Sequence, residues 1–308
     1  MALGDKLIFP LSNADVNVPE HQVNLFFSVD LVNATKFKSN NKKKWVSIFA
    51  DFYDFVVTAV QKKYRSDAEV WKLGGDEILF CVDIRNMEDI LRAPSELYSA
   101  MNSAQGALFD RHRVAKNNLY FQGALWIAAT TDGDCNKEKN SPRNVRGKFL
   151  KNSKISEDFL GVDIDEGFRV AANTSQGKIA IDPKIAYLLN EENELNRIKV
   201  TGDIKIEEKI RIVTYKILKG IWNERPFPII WYAPNWDVNE LFLYDELHTS
   251  ELAKAYMLSN EDSRKLSNIK TVFEKLKFPL VTVKLIESIL ENLKINNMDS
   301  LKPKKTTR

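Results

Sequence analysis

Two acidic residues stand where the sequence places carboxylates beside apolar strands. Asp30 ends the apolar run "VNLFFSVD", and Asp76 follows two glycines in "VWKLGGDEILF", between two further apolar runs. Neighbouring strands lie about 5 Å apart, so acids at adjacent strand ends can face each other. Two carboxylates can hold a pair of divalent ions about 3.5–4 Å apart, as in in-line phosphoryl transfer. The pattern predicts a two-metal site, and a glycine turn with solvated acids is the ordinary alternative.

The turns beside these acids suit the same chemistry. "NAT", which follows Asp30, offers backbone N–H groups and a hydroxyl of the kind that binds phosphate. Gly74 and Gly75 allow a ligand to approach the backbone closely. Glu77 is expected to face the other side of the sheet if the strand resumes there, so it is not counted as a metal ligand.

Composition narrows the kind of metal and the class of protein. Charged residues make up 28% of the 308 residues and hydrophobic residues 44%, and the net charge of +3 does not by itself imply a nucleic-acid or membrane partner. Three histidines and two cysteines form neither a zinc site nor a disulfide framework. We therefore expect Mg²⁺ or Mn²⁺ bound by oxygen ligands in a cytoplasmic protein. Neither a signal peptide nor a membrane span is predicted.

The elements that position the acids combine strands, hairpins and helices. Helical spacing of apolar residues predicts a helix over Trp45–Tyr64, and apolar runs around Gly74 and Gly75 predict a β-hairpin. Hairpins mixed with helices favour an α+β fold with a mostly antiparallel sheet. The pattern after residue 232 is mainly helical and ends in a basic tail. We predict a main domain over residues 1–232 and a helical C-terminal extension over residues 233–308.

Several segments, taken in chain order, resemble the class III nucleotide cyclases. "FFSVDLVNAT" and "WKLGGDEILF" are similar to the two metal-binding segments of that family, and "GALWIA" to its next central strand. "GVDIDEGFRVAANTSQGKIAID" resembles the later segment with a base-recognition acid and a catalytic helix, and "YKILKGI" resembles the closing Lys-Gly element. The resemblance covers about residues 23–232 and implies a ferredoxin-like, palm-type catalytic domain.

The resemblance implies roles for the residues of the first two segments. Asp30 and Asp76 would bind two Mg²⁺ or Mn²⁺ ions, and the Leu31 carbonyl would also reach a metal. The triphosphate would be bound by three residues of the turn: Asn33, Ala34 and Thr35.

The catalytic helix departs from the family pattern. The family helix reads Asn-x-x-x-Arg, a pair that orients the ribose and stabilises charge on the transferring phosphate. Here the matching residues are Arg169 and Asn173, in the opposite order. Their i, i+4 spacing places both on one helix face, so both are expected to act in catalysis. An ordinary surface ion pair of Arg169 with Glu166 or Asp165 is the alternative.

Base recognition would depend on one lysine and one acid. Lys72 matches the family donor to the base, and either Asp163 or Asp165 matches the acceptor, since the spacing does not decide between them. A lysine donor beside a carboxylate acceptor suits the edge of cytosine or adenine and therefore favours CTP over UTP. Lys148 and Lys151, in a polar loop, are candidates for triphosphate binding or ordinary solvated lysines.

The combination of "DIDEGFR" with "LKGIWNERPFPIIWY" is most similar to the pyrimidine cyclases of Pycsar antiphage systems. That resemblance implies a lyase that converts CTP or UTP to the 3′,5′-cyclic monophosphate (cCMP or cUMP) and pyrophosphate. It also implies a homodimer with shared active sites and a separate effector activated by the cyclic nucleotide. No nucleic-acid or membrane partner is expected.

Three other functions stay open from the sequence. A diguanylate cyclase carries Gly-Gly-Asp-Glu-Phe, which this chain matches except at Ile78, and identification of the product would separate the two enzymes. A catalytically silent nucleotide-binding module that regulates a partner would not need both Asp30 and Asp76. Nucleic-acid binding is supported only by the run "NNKKKW" and the basic tail.

Overall fold

The computed structural model describes residues 21–132, 143–149, 157–194, 206–236 and 265–300. Its strands are β1 (His21–Val32), β2 (Glu69–Leu73), β3 (Glu77–Ile84), β4 (Tyr120–Asp132), β5 (Asn144–Gly147), β6 (Asp158–Gly161), β7 (Ile179–Ile181), β8 (Ile210–Ile217) and β9 (Pro226–Tyr232). Its helices are α1 (Ala34–Asn40), α2 (Trp45–Lys63), α3 (Met87–Arg111), α4 (Val162–Ala171), α5 (Pro183–Glu194), α6 (Ile206–Lys209), α7 (Ile269–Leu276) and α8 (Val281–Ser300).

All nine strands belong to one sheet with β1 near its centre. The order is β2-β3-β1-β4-β7-β9-β8, and β5 joins both β4 and β6. Strand β4 runs parallel to β5 and β7, and the other pairs are antiparallel. The predicted α+β class with a mostly antiparallel sheet is therefore confirmed. The predicted helix over Trp45–Tyr64 is α2, and the predicted glycine hairpin is β2–β3.

The two faces of the sheet have different coverings, because successive side chains on a strand point to opposite faces. On β1, Leu25 and Phe27 belong to the larger core, which includes the buried faces of α2 and α3. Phe26 belongs to a second core on the other face, with Trp126 of β4 and residues of α4. Helix α4 packs closely there, since a Cβ on Gly167 would lie 2.2 Å from the Trp126 ring.

The C-terminal helices share the larger core with the sheet. Phe273 of α7 and Ile286 and Ile289 of α8 are buried in the same cluster as the apolar residues of β1. The division of the chain at residue 232 stays a prediction, and residues 237–264 and 301–308 of the predicted extension lie outside the described ranges. Residues 1–20, Cys135 and Lys151 lie outside them as well.

Across the ranges that the structure describes, no helix is both long enough and apolar enough to cross a bilayer.

Candidate active site

The glycine hairpin places Asp76 beside the end of β1. Gly75 has a φ of 80°, which a residue with a side chain adopts only at a cost, and the Gly74 N–H donates to the Glu77 carbonyl at 2.7 Å. The Leu31 N–H donates to the Asp76 carbonyl at 3.0 Å. The turn is therefore joined to the residue that follows Asp30.

Asp30 lies on the sheet face that carries Phe26 and α4. It is directly opposite Gln122 of β4, whose side-chain N–H donates to the Asp30 Oδ2 at 2.7 Å. Burial raises the pKa of Asp30, and the nearby Asp76 carboxylate raises it further. The bond from Gln122, the Leu31 amide and the charge of Lys38 act in the opposite direction without cancelling this effect. The two acids are therefore close enough to repel each other.

Glu77 lies on the same face as Asp30, and the expectation that it would face the other side is wrong. The strand resumes at Glu77 itself, which pairs directly with Asp30, and directly opposed residues share a face. Burial raises the pKa of Glu77, and the charges of Asp30 and Asp76 raise it further, against a hydrogen bond from Ser28. Three carboxylates therefore converge at this corner of the sheet.

The donors at this corner fit a hard divalent ion bound together with its substrate. Among the described residues, no group of three or more histidines, cysteines or acids is arranged to hold a metal ion. Mg²⁺ commonly uses only one or two carboxylates and takes its other oxygens from water and substrate phosphates. Asp30 and Asp76 supply that number, and their mutual repulsion would be relieved by a cation.

The turn after β1 leads directly into α1. Asn33 adopts a left-handed conformation, with a φ of 70°, and its carbonyl accepts the Phe37 N–H at 2.9 Å. Asn33 and Thr35 are exposed, whereas the Ala34 side chain is buried. The first N–H groups of a helix have no partner within the helix, so the backbone of Ala34 and Thr35 retains donors near Asp30.

Lys72 contacts Asp158, an acid that the sequence analysis did not select. The Lys72 Nζ lies 2.7 Å from Oδ1 and 3.0 Å from Oδ2 of Asp158. The two residues are 86 positions apart, and the hairpin β5–β6 brings Asp158 over the edge of the sheet. Asp158 is the first residue of β6, and the sequence around it offers no turn or spacing signal that would connect it with Lys72.

Asp163 is paired inside the fold and not with Lys72, and the assignment of Asp163 or Asp165 as the base acceptor stays a prediction. The Asp163 side chain is 0% exposed and accepts hydrogen bonds from Arg143 at 2.9 Å and from the Asn144 side chain at 2.7 Å. Burial alone would raise its pKa, but Lys184, Arg143 and Asn144 reverse that effect and lower it. Asp163 is therefore an internal ion-pair residue at the start of α4.

A buried charge network surrounds Lys184 behind α4. The Lys184 Nζ lies 2.6 Å from Glu166, 2.9 Å from Asp182 and 3.5 Å from Asp163. The indole N–H of Trp222 donates to Glu166 at 3.3 Å. These contacts attach α4 to α5 and to the segment before β9, and they exclude Glu166 as a surface partner of Arg169.

The outer face of α4 carries Asp165 and Arg169, which are both exposed and stand at i, i+4 spacing. The Asn173 side chain donates to the Arg169 carbonyl at 2.8 Å, and the Asn173 carbonyl accepts the Trp231 indole N–H at 2.7 Å. Asn173 therefore fastens the end of α4. The polar residue that precedes Arg169 by four positions is Asp165.

Within one chain the two groups of residues do not meet. In the described part of the chain, no hydrogen bond or ion pair joins Asp30 or Asp76 to Lys72 or Arg169. Lys72 pairs with Leu79 and Asp30 with Glu77, so Lys72 lies roughly 7 Å along the sheet and roughly 10 Å across it from Asp30. Lys148 is exposed after β5.

Comparison with known proteins finds similarity to solved structures and no match at the level of sequence. No protein-family model matches the chain, and no curated protein matches it. The chain is similar in fold to the crystal structure of the guanylyl cyclase Cya2, with 15% identity over 69% of this chain and 91% of that one, at a TM-score of 0.45.

Two further solved structures are similar to a comparable extent. The adenylyl cyclase CyaB from P. aeruginosa has 12% identity over 71% of this chain and 97% of its own, at a TM-score of 0.48. The adenylate/guanylate cyclase/hydrolase from Silicibacter pomeroyi has 14% identity over 70% of this chain and 99% of its own, at a TM-score of 0.43. What this chain does must be inferred from its own residues.

Proposed function

We propose that the chain is a nucleotide cyclase that converts a pyrimidine nucleoside triphosphate, CTP before UTP, into its 3′,5′-cyclic monophosphate and pyrophosphate. One observation carries the proposal: Asp30 and Asp76 lie together at the end of β1, partly buried and repelling each other. Half-buried acids whose repulsion is not cancelled by a nearby cation are costly for a fold, so their placement is explained best by a cation that arrives with the substrate.

Asp30 and Asp76 would hold the divalent ions, Mg²⁺ or Mn²⁺, through carboxylate oxygens, with the Leu31 carbonyl in reach. Such ions neutralise the charge of the triphosphate and lower the pKa of an attacking hydroxyl. The side chain of Gln122 holds one oxygen of Asp30 and thereby orients the other. The backbone of Asn33, Ala34 and Thr35 would bind the phosphates next to these acids.

Lys72 and Asp158 would recognise the base through hydrogen bonds. They form a donor and an acceptor side by side, with side-chain exposures of 40% and 27%. A base edge with an amino group beside a ring acceptor, as in cytosine, matches that order. Asp158 therefore takes the role that the sequence analysis gave to Asp163 or Asp165.

Arg169 would stabilise charge on the transferring phosphate, and Asp165 would contact the ribose. Both are exposed on α4, where a substrate can reach them. A guanidinium forms strong charge-assisted hydrogen bonds to phosphate oxygens, which fits the first role. Asn173 stays a candidate for catalysis, although its side chain is used within the helix end.

We propose that the complete site forms between two copies of the chain. The acids of one copy and the pair Lys72–Asp158 with Arg169 of another would complete it, because these groups do not meet within one chain. Apolar side chains beside Asp158 support a covered surface: Leu160 is 53% exposed, Val162 48% and Phe168 38%. The dimer is thus the unit in which the chemistry takes place.

A mixing experiment tests the shared site. One inactive variant carries Asp30→Asn with Asp76→Asn, and the other carries Arg169→Ala. If the sites are shared, exchange of subunits leaves one intact site in each mixed dimer and restores about a quarter of the wild-type activity. Mixed dimers that form, as shown by two affinity tags, and yet stay inactive would contradict the shared site.

The reaction is tested by incubating the protein separately with ATP, GTP, CTP and UTP in Mg²⁺ or Mn²⁺ and identifying the product by mass spectrometry. A cyclic pyrimidine monophosphate with released pyrophosphate supports the proposal, and a product joining two GTP molecules indicates a diguanylate cyclase. No pyrophosphate from any nucleotide would leave the silent regulatory module as the function.

We also propose a role in antiphage defence, in which the cyclic nucleotide activates a separate effector. This part has its support in the resemblance of "DIDEGFR" and "LKGIWNERPFPIIWY" to Pycsar cyclases. Bacteria that express the protein are expected to accumulate the cyclic nucleotide during phage infection, and bacteria that express the Asp76→Asn variant are not. Equal levels in both cultures would reject the role.

A further inference from the structure

An irregularity in β2 brings two neighbouring side chains to one carboxylate. Successive residues of a strand normally point to opposite faces. The pairing with β3 shifts between Val70, opposite Phe80, and Lys72, opposite Leu79, so that Trp71 is an extra residue on the β2 side. As a result, the Trp71 indole N–H and the Lys72 ammonium both contact Asp158.

The two oxygens of Asp158 have unlike surroundings. Oδ1 accepts the Trp71 Nε1–H at 3.1 Å and the Phe159 N–H at 2.8 Å, and the Lys72 Nζ lies 2.7 Å away. Oδ2 accepts a hydrogen bond from the Lys72 Nζ at 3.0 Å. Two of the donors to Oδ1 are rigid, a ring and a backbone amide, whereas Lys72 has a flexible stem. Oδ2 is therefore the oxygen that a ligand can take over.

Trp71 is itself held in place by aromatic rings. Its ring centroid lies 5.2 Å from Phe26, 5.3 Å from Phe159 and 5.9 Å from Phe168. Phe26 is fully buried in the second core, so the indole N–H has a direction that the fold determines. The Lys72 Nζ lies 4.5 Å from the Trp71 ring centroid, which also favours this position of the ammonium.

We propose that Trp71 is a positioning residue that sets nucleobase selectivity: its N–H fixes Asp158, so that Oδ2 presents an acceptor of fixed direction beside the Lys72 donor. The inference rests on the proposed function, because it names how that site distinguishes bases. Without the N–H, Asp158 can rotate, and a base with the reversed donor–acceptor order is then rejected less strongly.

The test compares Trp71→Phe with wild type and with Trp236→Phe. The first variant keeps an aromatic ring and removes the N–H, and the second removes the N–H that Trp236 donates to the Lys209 carbonyl at 2.9 Å, far from Asp158 in the sequence. We measure kcat/KM for CTP and UTP, and the equilibrium binding of both nucleotides in Ca²⁺. We expect the ratio of the preferred to the other nucleotide to fall about tenfold in Trp71→Phe, and to stay within twofold of wild type in Trp236→Phe.

A second replacement keeps the test valid if the smaller phenyl ring disturbs the fold. Benzothienylalanine at position 71 has the shape of tryptophan with sulfur in place of the N–H, and it is expected to reduce selectivity as Trp71→Phe does. Unchanged selectivity in both proteins would overturn the inference, as would equal binding of CTP and UTP by wild type. Selective binding without release of pyrophosphate would reject the proposed reaction and leave the selectivity comparison intact.

Discussion

Two groups of acids in this molecule, one buried and one half-buried, differ in what opposes their charge. Behind α4, Asp163, Glu166 and Asp182 surround Lys184, and Arg143 adds a second cation. At the end of β1, Asp30, Asp76 and Glu77 converge with Lys38 as the nearest cation acting on Asp30. The first group has two cations in direct contact with its three acids, whereas, among the described residues, only the charge of Lys38 acts against the second group.

The difference separates structural acids from acids available for chemistry. A charge that is paired inside the fold contributes to its architecture, and its removal leaves a partner uncompensated. An acid whose charge is desolvated and repelled by a neighbouring acid is stabilised when a cation from outside the chain binds beside it. Burial alone would have ranked Asp163, which is 0% exposed, above Asp30 as a functional residue.

The largest effect is expected on activity at the β1 group. Replacing Asp30 or Asp76 with asparagine removes a ligand charge from the proposed metal site and is expected to reduce kcat/KM by at least about 1000-fold. The stability should not fall by more than about 0.5 kcal/mol, because the substitution also removes repulsion between acids. Pyrophosphate release and urea unfolding measure the two quantities, and a stable variant with full activity would refute the metal assignment.

The opposite pattern is expected at the network behind α4. Lys184→Met leaves three buried carboxylates with Arg143 as the remaining cation and should lower the free energy of unfolding by about 3–5 kcal/mol. The exposed Lys62→Met serves as the matched control, with a change within about 0.5 kcal/mol. Equal urea midpoints for the two variants would mean that Lys184 does not compensate the acids, and the contrast between the two groups would fail.

A smaller, pH-dependent effect distinguishes the groups further. Burial raises the pKa of Glu166 to about 7, with the charges of Asp182 and Asp163 adding to it against the attraction of Lys184. The folded chain therefore binds this proton more tightly than the unfolded chain, so its contribution to stability is complete below about pH 4.5 and is lost as the pH rises through about 7.

Glu166→Gln removes this titration while keeping an oxygen that can accept from Lys184. The difference in unfolding free energy between wild type and Glu166→Gln should therefore move in favour of the variant as the pH rises from 5 to 8. Groups outside this network whose pKa is also raised, such as Glu287, titrate in both proteins, so their contributions cancel in the difference. Unfolding curves that stay parallel across this range would contradict the raised pKa.

The sequence is a good guide to the fold where local patterns decide the outcome. The 3.6-residue spacing over Trp45–Tyr64 and the Gly74–Gly75 turn each correspond to an element of the structure. The position of the C-terminal helices was not predictable in this way, because the packing of Ile286 and Ile289 on the core beneath β1 depends on contacts distant in sequence.

The candidate active site was likewise predictable only where local sequence patterns place its residues. Asp30 and Asp76 could be proposed from the sequence because each stands beside an apolar strand with a distinctive turn. Asp158 was missed because its partner Lys72 is 86 positions away and a bulge redirects that side chain. Glu77 was placed on the wrong face because alternation was counted from the turn, whereas the pairing begins at Glu77 itself.

The smallest effect is a thermal shift that only the β1 group should produce. Mg²⁺ at about ten times its dissociation constant stabilises the folded state by about 1.4 kcal/mol, or roughly 2 °C in Tm for a chain of this length. We expect this shift in wild type and in Lys184→Met, and none in the double variant Asp30→Asn/Asp76→Asn, with NaCl of equal ionic strength as the reference. Because Lys184 and Arg143 oppose the acids behind α4, that network has a smaller demand for an added cation than the β1 group. A shift that survives in the double variant would place the ion elsewhere and remove the distinction between the two groups of acids.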